Sequence, residues 1–401
     1  MTFNIAHFAD PHIGYKAKVK SNESGTNIRV ADGYEALREI VEQIITSDVK
    51  IDAVVIAGDL FHYSHPTIKD ISTVQYYMRE LAKHGIKVYI LAGNHDATDI
   101  SSELAANAAI DDPDRGIFSL FGTYQKYELE DGLLLHAMAH HGLSLEETPT
   151  FETSSKDINI FTTHGAALDP KNQELMRCAD SPREQIIPID LVMDDIFSAK
   201  LLGHYHSRYA VGGESLNTWY SGSTLRRGFS DGAGERGWLL VQVEVDGSVK
   251  FTPKNIKQRP QYDLKTIDAA DLSAGDIMDL IEQHLEGTRE TDQAPIIRQK
   301  IINTPRAIRE GLDRSRINEL SQHALQWQLE FSNILQLNTE KNHDDPKQLS
   351  FAKKVNIVEQ YSSWIKDYEK EIASEYKDIV VADAEAYLKR ALDGEVLDDH
   401  N

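Results

Sequence analysis

Five short polar clusters, each directly after an apolar run of strand type, constrain this chain more than any other feature. The runs Phe3–Ala9, Ala53–Ala57, Val88–Leu91, Ile158–Thr162 and Lys200–Leu202 lead into Asp10-Pro11-His12, Gly58-Asp59, Gly93-Asn94-His95-Asp96, Thr163-His164-Gly165 and Gly203-His204-Tyr205-His206. Amphipathic stretches at Tyr34–Ile45 and Ile68–Lys83 separate the first three runs, which reads as α/β. Continuous apolar strands such as Val54-Val55-Ile56 suit a sheet covered on both faces. Trp238–Val245 and a return strand near Lys250–Thr252 end this region at about residue 260. In open α/β sheets ligands bind beyond the carboxyl ends of strands, so five such loops can surround one point.

The residue types say what that point holds. Asp10, His12, Asp59, Asn94, His164, His204 and His206 form an oxygen and imidazole set without thiolate. Such donors suit manganese, iron or zinc better than calcium. Seven are too many for one ion and suit two that share a carboxylate. Two metals about 3.5–4 Å apart stabilise both the attacking and the leaving oxygen of an in-line phosphoryl displacement. Flanking glycines permit tight turns and close backbone approach. Each cluster alone is compatible with turn residues and surface imidazoles; their joint order is what points to a metal centre.

Charge complicates a nucleic-acid reading. The 401 residues carry 42 Lys+Arg against 64 Asp+Glu, a formal charge of −22. Residues 1–260 hold 25 basic and 36 acidic side chains and the remainder 17 and 28, so no basic domain is hidden by averaging. A purely electrostatic DNA binder would not look like this. Charges beyond a Debye length of about 8 Å are screened, however, so a local cleft can still hold a phosphate chain. No apolar run approaches a membrane span, and Met1–Asp10 lacks the pattern of a signal peptide. Cys178 is the only cysteine, which suits a reducing compartment, and the expectation is a cytoplasmic protein.

The pattern changes after residue 260. Ser273 with Asp276 predicts a capping box opening a helix to about Glu286. A strand at Ile296–Ile302 follows, then Thr304-Pro305 as an N-cap and first-turn pair. Residues 325–331 alternate strictly between apolar and polar, as a half-buried strand does. This is a small α+β unit. Asn338–Ser350 reads as a linker. Phe351, Val355, Val358, Tyr361, Ile365, Tyr368, Ile372 and Tyr376 then share one helical face, and a second short helix follows at Val381–Leu392. A face of that kind must bury itself, either on its own chain or on a partner.

The ordered set D-x-H, G-D, G-N-H-D, H-G and G-H-x-H resembles the signature of calcineurin-like metallophosphoesterases. Gly58-Asp59-Leu60-Phe61-His62 with Pro66, Tyr220-Ser221-Gly222-Ser223, Phe229 and Gly237-Trp238-Leu239-Leu240-Val241 resemble the SbcD-type double-strand-break nucleases within that superfamily. Motif resemblance covers residues 1 to about 260, and beyond that only the architecture matches. The C-terminal third is idiosyncratic and suits a divergent member, such as a phage-encoded one.

The resemblance implies a β-sandwich nuclease domain flanked by helices over residues 1–260, an α+β DNA-capping domain over 261–337, a linker over 338–350 and a helical ATPase-binding pair over 351–401. It implies two manganese ions, with magnesium a weaker substitute. Asp10, His12, Asp59 and His206 would hold one ion, and Asp59, Asn94, His164 and His204 the other. His95 matches a histidine that serves the leaving 3′ oxygen, and His62 one that positions the scissile phosphate. Implied partners are DNA, an SbcC-like coiled-coil ATPase and a second copy, for which Ile68–Lys83 and Ile100–Ile110 are the candidate contact, with packing on the chain's own core the alternative. The implied activity is that of a 3′–5′ exonuclease and single-strand endonuclease.

Bland readings stand beside these. His95 and His62 can serve as loop and cleft-wall residues, and Arg226-Arg227 could contact DNA phosphates but reads more readily as a solvated loop. His65, His136, His140 and His141 have no motif support, and Asp96 reads as a hydrogen-bonding orienter. Rival functions are a phosphatase or cyclic-nucleotide phosphodiesterase of the same superfamily, which residues 261–401 disfavour, and a non-catalytic scaffold. Seven buried ligand-type groups kept without metal would be costly, which disfavours the scaffold.

Overall fold

Apolar side chains on both faces of β1 (Phe3–Phe8) decide the layering: Ala6 and Phe8 enter a core beneath helices, while Ile5 enters a core between two sheets. The computed structural model describes residues 2–96, 106–120, 122–144, 149, 151, 153, 157–167 and 185–332. The expected linker, the helical stripe, Cys178 and Ile100–Leu104 lie outside these residues.

β1, β2 (Ala53–Ile56), β3 (Lys87–Leu91) and β4 (Ile117–Leu120) run parallel in the first sheet. The second sheet takes β5 (Tyr124–Glu130), β6 (Leu133–Met138) and β7 (Ile158–His164). After the two-residue strands β8 (Ala166–Ala167) and β9 (Ile186–Ile187) it adds β10 (Ala199–Gly203), β11 (Tyr209–Ala210) and β12 (Thr218–Tyr220). The chain then returns to the first sheet as β13 (Gly237–Val243) and β14 (Val249–Asn255), giving the order β14-β13-β1-β2-β3-β4. The second sheet has the order β11-β12-β10-β7-β6-β5. Ile5, Val55, Leu135, Ile160, Leu201 and Val241 fill the layer between the sheets.

Helices α1 (Ile28–Ile45) and α2 (Ile68–Lys83) cover the outer face of the first sheet. Buried Val30, Leu37, Ile40, Val41 and Ile44 recur at helical spacing along α1. It begins six residues before the predicted stretch because Asn27 caps it, accepting from the Arg29 N–H at 3.1 Å. The short α3 (Ile189–Met193) belongs to the second sheet's outer core through Leu191 and Val192.

A third sheet follows, with its own core. β15 (Gln261–Asp263), β16 (Ile267–Asp268), β17 (Ile296–Ile302) and β18 (Gln326–Ser332) are joined in parallel through β17. Ile277, Ile281 and Leu285 of α4 (Ala274–Glu286) pack on Ile297 and Ile301. The Ser273–Asp276 capping box is present in both directions, at 3.2 and 2.9 Å. The expectation for Thr304-Pro305 is off by one residue. α5 (Arg306–Glu310) starts later, with Pro305 in the N-cap position at ψ 144, and the Thr304 hydroxyl caps nothing. Proline fixes φ but leaves ψ free, and an extended ψ keeps Pro305 out of the first turn. α6 (Arg314–Leu320) supplies Ile317 and Leu320 to the same core. Bidentate Arg259–Asp32 contacts at 2.8 and 2.6 Å tie this part to α1.

Candidate metal centre

The loops after β1, β2, β3, β7 and β10 do meet, and their backbone is unusual where they do. Asp10, His12, Asp59 and His204 have φ of 52, 43, 50 and 113°, a region that non-glycine residues rarely occupy. Such conformations persist only where the surroundings over-determine them, and they concentrate at functional sites. The first two loops run together, Asp10 N–H donating to Gly58 O at 3.1 Å and His12 N–H to Asp59 O at 3.0 Å. Three glycines permit the close approach. A Cβ on Gly58 would lie 2.3 Å from His164 Nδ1, one on Gly93 2.2 Å from Asp59 Oδ1, and one on Gly203 1.9 Å from Ala57 O.

Asp96 binds two of these loops together, as its sequence reading anticipated. It is fully buried and accepts from the backbone N–H groups of Leu60 (3.2 Å), Phe61 (2.9 Å) and Gly93 (2.9 Å). Burial and the neighbouring Asp59 carboxylate push its pKa up to about 7.

Donor atoms converge inside this frame. Asp59 Oδ2 lies 3.5 Å from His12 Nε2, and Asp59 Oδ1 lies 3.5 Å from His164 Nε2. His12 Nε2 is 3.1 Å from His206 Nε2. Asn94 Oδ1 is 3.0 Å from His164 Nε2 and 3.2 Å from His204 Nδ1. Asp10 accepts the His204 backbone N–H on Oδ2 at 3.0 Å. His95 donates its backbone N–H to Asp59 Oδ1 at 2.8 Å, and its ring stacks on His62 with centroids 5.2 Å apart. All seven residues of the expected ligand set, with His95 and His62, therefore border one another.

Hydrogen bonds to the outer ring nitrogens turn the inner ones towards the centre. His164 Nδ1 donates to Ala57 O at 2.8 Å and His206 Nδ1 to Asp231 Oδ1 at 2.9 Å, so both Nε2 atoms face inward, where a cation would displace any proton that His164 carries there. Burial opposes charge on Asp59 and His164 alike, yet their pairing holds Asp59 well below the usual carboxylate range and pushes His164 up to about 9. Burial drives the His12 pKa well down. Burial, then the Arg227 charge, takes His62 down to about 4.

The donor set fits a cation. Asp10 Oδ1 is buried with no hydrogen-bond partner, an arrangement that is costly unless something positive sits there. His12 and His206 turn facing Nε2 atoms on each other, and with the His206 Nδ1 protonated its Nε2 can only accept. The triads Asp10–His12–His206, Asp10–Asp59–His164 and His12–His62–His95 each bring ligand atoms within 4.8 Å of one another.

Three residues that the motif search passed over complete the surroundings. Asp231 orients His206, and the His206 hydrogen bond holds Asp231 at about 2 against burial. Arg227, read as part of a solvated loop, is only 19% exposed and lies against His206 and His62. His140 lacks a motif but donates from Nδ1 to His164 O at 2.9 Å and stacks on His204. The acidic residue after Phe229 was the available sequence signal for Asp231; nothing local marks His140. His136 is structural, bridging Tyr124 Oη and Asn159 Oδ1 at 2.8 and 3.0 Å.

The family model for calcineurin-like phosphoesterases matches residues 3–238. The chain belongs to this family. Among relatives of this calcineurin-like chain, the DNA double-strand break repair protein Mre11 of Haloferax volcanii is 34% identical over 260 residues, 64% of this chain and 53% of its own length. The Mre11 of Methanocaldococcus jannaschii is 25% identical over 231 residues, 55% of this chain and 56% of its own. A probable cyclic nucleotide phosphodiesterase of Psychrobacter arcticus is 30% identical over 102 residues, 25% of this chain and 33% of its own. The chain thus spans about half the length of the Mre11 relatives. Among the described residues no helix is long and apolar enough to cross a membrane.

Proposed function

We propose that this calcineurin-like phosphoesterase is a DNA nuclease, an exonuclease and endonuclease of the double-strand-break repair and recombination class. The observation that carries the reading is Asp59, whose two oxygens each face a different histidine, His12 and His164, at 3.5 Å. That is the arrangement a carboxylate shared by two ions requires. Asp10, His12, Asp59 and His206 would hold one ion, and Asp59, Asn94, His164 and His204 the other. Manganese is the expected metal, with magnesium a weaker substitute. The pair would supply Lewis acidity for in-line displacement at phosphorus.

The chain's own groups do the rest. His95 Nδ1 donates to His62 O at 2.9 Å, which fixes its ring and leaves Nε2 to protonate the leaving 3′ oxygen when the ring is an imidazolium. His62, stacked on His95, would position the scissile phosphate. Residues 261–337 would cap the DNA, and residues 338–350 would link them to a helical segment, 351–401, that binds a coiled-coil ATPase. A homodimer would form through the nuclease domain at α2, where Ile68 and Tyr76 are exposed. The net charge of −22 and the lone cysteine support a cytoplasmic protein that takes part of its DNA grip from that partner.

The test is degradation of linear duplex DNA by the full chain with manganese, with and without chelator, beside Asp59→Ala. Expected are degradation that chelator abolishes and at least a hundredfold loss in the variant. Chelator-insensitive cleavage, or hydrolysis of a simple phosphomonoester with no DNA cleavage under any metal, would overturn the nuclease reading. Deleting residues 351–401 without effect on ATPase capture would remove the partner.

A further inference from the structure

Arg227 enters the His206 side of the centre from the loop after β12, although its neighbour Arg226 turns away. Arg226 stacks over Phe229 at 5.5 Å and reaches Gln261 O at 3.5 Å. Arg227 instead puts Nη2 at 3.0 Å from His206 Nε2 and Nη1 at 3.4 Å from His62 Nδ1. The Tyr15 ring backs the guanidinium at 5.9 Å, and Tyr15 Oη donates to Arg227 O at 3.2 Å.

The nearest carboxylate does not satisfy this cation. Asp231 Oδ1 accepts from His206 Nδ1 at 2.9 Å, and Oδ2 accepts from the Arg227 backbone N–H at 2.8 Å. The guanidinium Nε stands 3.9 Å from Oδ2, beyond hydrogen-bonding distance. Among the described residues, neither fork nitrogen has an oxygen acceptor; each faces an imidazole nitrogen instead. A guanidinium keeps its charge at any working pH, so the fork always needs an acceptor. Cations that engage the His206 lone pair would remove the one it has and add repulsion. A phosphate group answers both problems, because its oxygens match the fork bidentately and carry the opposite charge.

We propose that Arg227 is the substrate-phosphate clamp of this centre, binding non-bridging phosphate oxygens of the nucleic acid strand through Nη1 and Nη2. The proposal rests on the phosphodiesterase reading given above. It assigns substrate binding to a residue outside the seven donors and the two histidines. It also gives a net-negative protein one built-in cation at the reacting phosphate.

Arg227→Met and Arg227→Lys in the full chain test it. Calorimetry of inorganic phosphate into the manganese-loaded protein should show binding about 10- to 100-fold weaker in Arg227→Met, the range expected for a charged hydrogen-bonded pair. Arg227→Lys, which keeps charge and loses the fork, should fall between. The KM for a single-stranded oligonucleotide should rise by at least about tenfold, with kcat changed less. Manganese stoichiometry should stay that of the wild type. Equal phosphate affinity in wild type and Arg227→Met, or no phosphate binding by wild type, overturns the clamp. Weakened phosphate binding with an unchanged oligonucleotide KM makes free phosphate the ligand and overturns the assignment to the strand. Lost manganese in both variants would make Arg227 a prop for His206, which also overturns it. If the wild-type chain cleaves no nucleic acid, the nuclease reading fails while the calorimetric arm still decides the clamp.

Discussion

Asp231 accepts the Nδ1 hydrogen of His206 at 2.9 Å, across 25 residues of chain, and thereby sets which nitrogen of His206 faces the centre. A carboxylate in that place fixes ring orientation and raises the basicity of the inward nitrogen. Asp231→Asn keeps the shape but presents a weaker acceptor that can also flip to a donor. The expected outcome is manganese affinity lower by roughly 10–100-fold, read by calorimetry, with an unchanged melting profile in chelator. Wild-type affinity in Asp231→Asn would leave His206 without need of this partner.

Gly58 and Gly203 have no room for a side chain. Gly58 has φ +88° and a Cβ there would meet the His164 ring at 2.3 Å, while one on Gly203 would meet Ala57 O at 1.9 Å. Gly203→Ala confronts backbone, which cannot swing aside, so a loss of about 2–4 kcal/mol of stability is expected. Gly58→Ala confronts a ring, so it should displace His164 and cost metal affinity as well as about 1–2 kcal/mol for the backbone conformation. Urea titration in chelator and manganese calorimetry separate the two effects. Gly58→Ala with full affinity would show that the His164 ring has slack.

Asp96 satisfies three backbone N–H groups from two loops. Asp96→Ala leaves these donors buried and unpaired, at about 1–3 kcal/mol for each that water cannot reach. A loss of at least about 3 kcal/mol is expected in the metal-free protein, together with loss of Asp59-dependent activity. A small change in the urea midpoint would mean that water replaces the carboxylate.

His7 lies between the two sheets, fully buried, with Nδ1 3.3 Å from Val55 O and Nε2 without a partner. Burial takes its pKa down to about 4 from the ordinary 6.5. Between these values the unfolded chain holds a proton that the folded chain refuses, so stability falls as pH drops from about 6.5 towards 4. Above 6.5 both states are neutral there and the effect vanishes. The full window is worth about 3 kcal/mol. Urea midpoints in chelator at several pH values should therefore decline more steeply for wild type than for His7→Leu over that window. Parallel curves would show that water reaches His7.

Much of the centre was legible because each donor follows its own strand. Asp10, Asp59, Asn94, His164 and His204 stand within a few residues of a strand end, and strand-then-turn is a local property of the chain. The capping box at Ser273 and Asp276 was legible for the same reason, since both partners lie within one turn. Proximity in sequence failed at Thr304-Pro305, where one ψ angle moved the helix start.

Other features depend on packing between distant segments. β5 went unread because the edge strand Tyr124–Glu130 carries Gln, Lys and Glu, and only its place at the rim of the second sheet makes that pattern a strand. Residue types and order alone were enough to place seven candidate donors at the ends of strands in an α/β region, and the family resemblance added the two-sheet arrangement. Tertiary structure decided the rest. It set which ring nitrogens face inward, it gave Asp231 to His206, and it turned Arg227 into the centre while turning Arg226 out of it. Those choices follow from sheet order, which brings residues 12, 62, 206 and 227 together although no local pattern of the chain relates them.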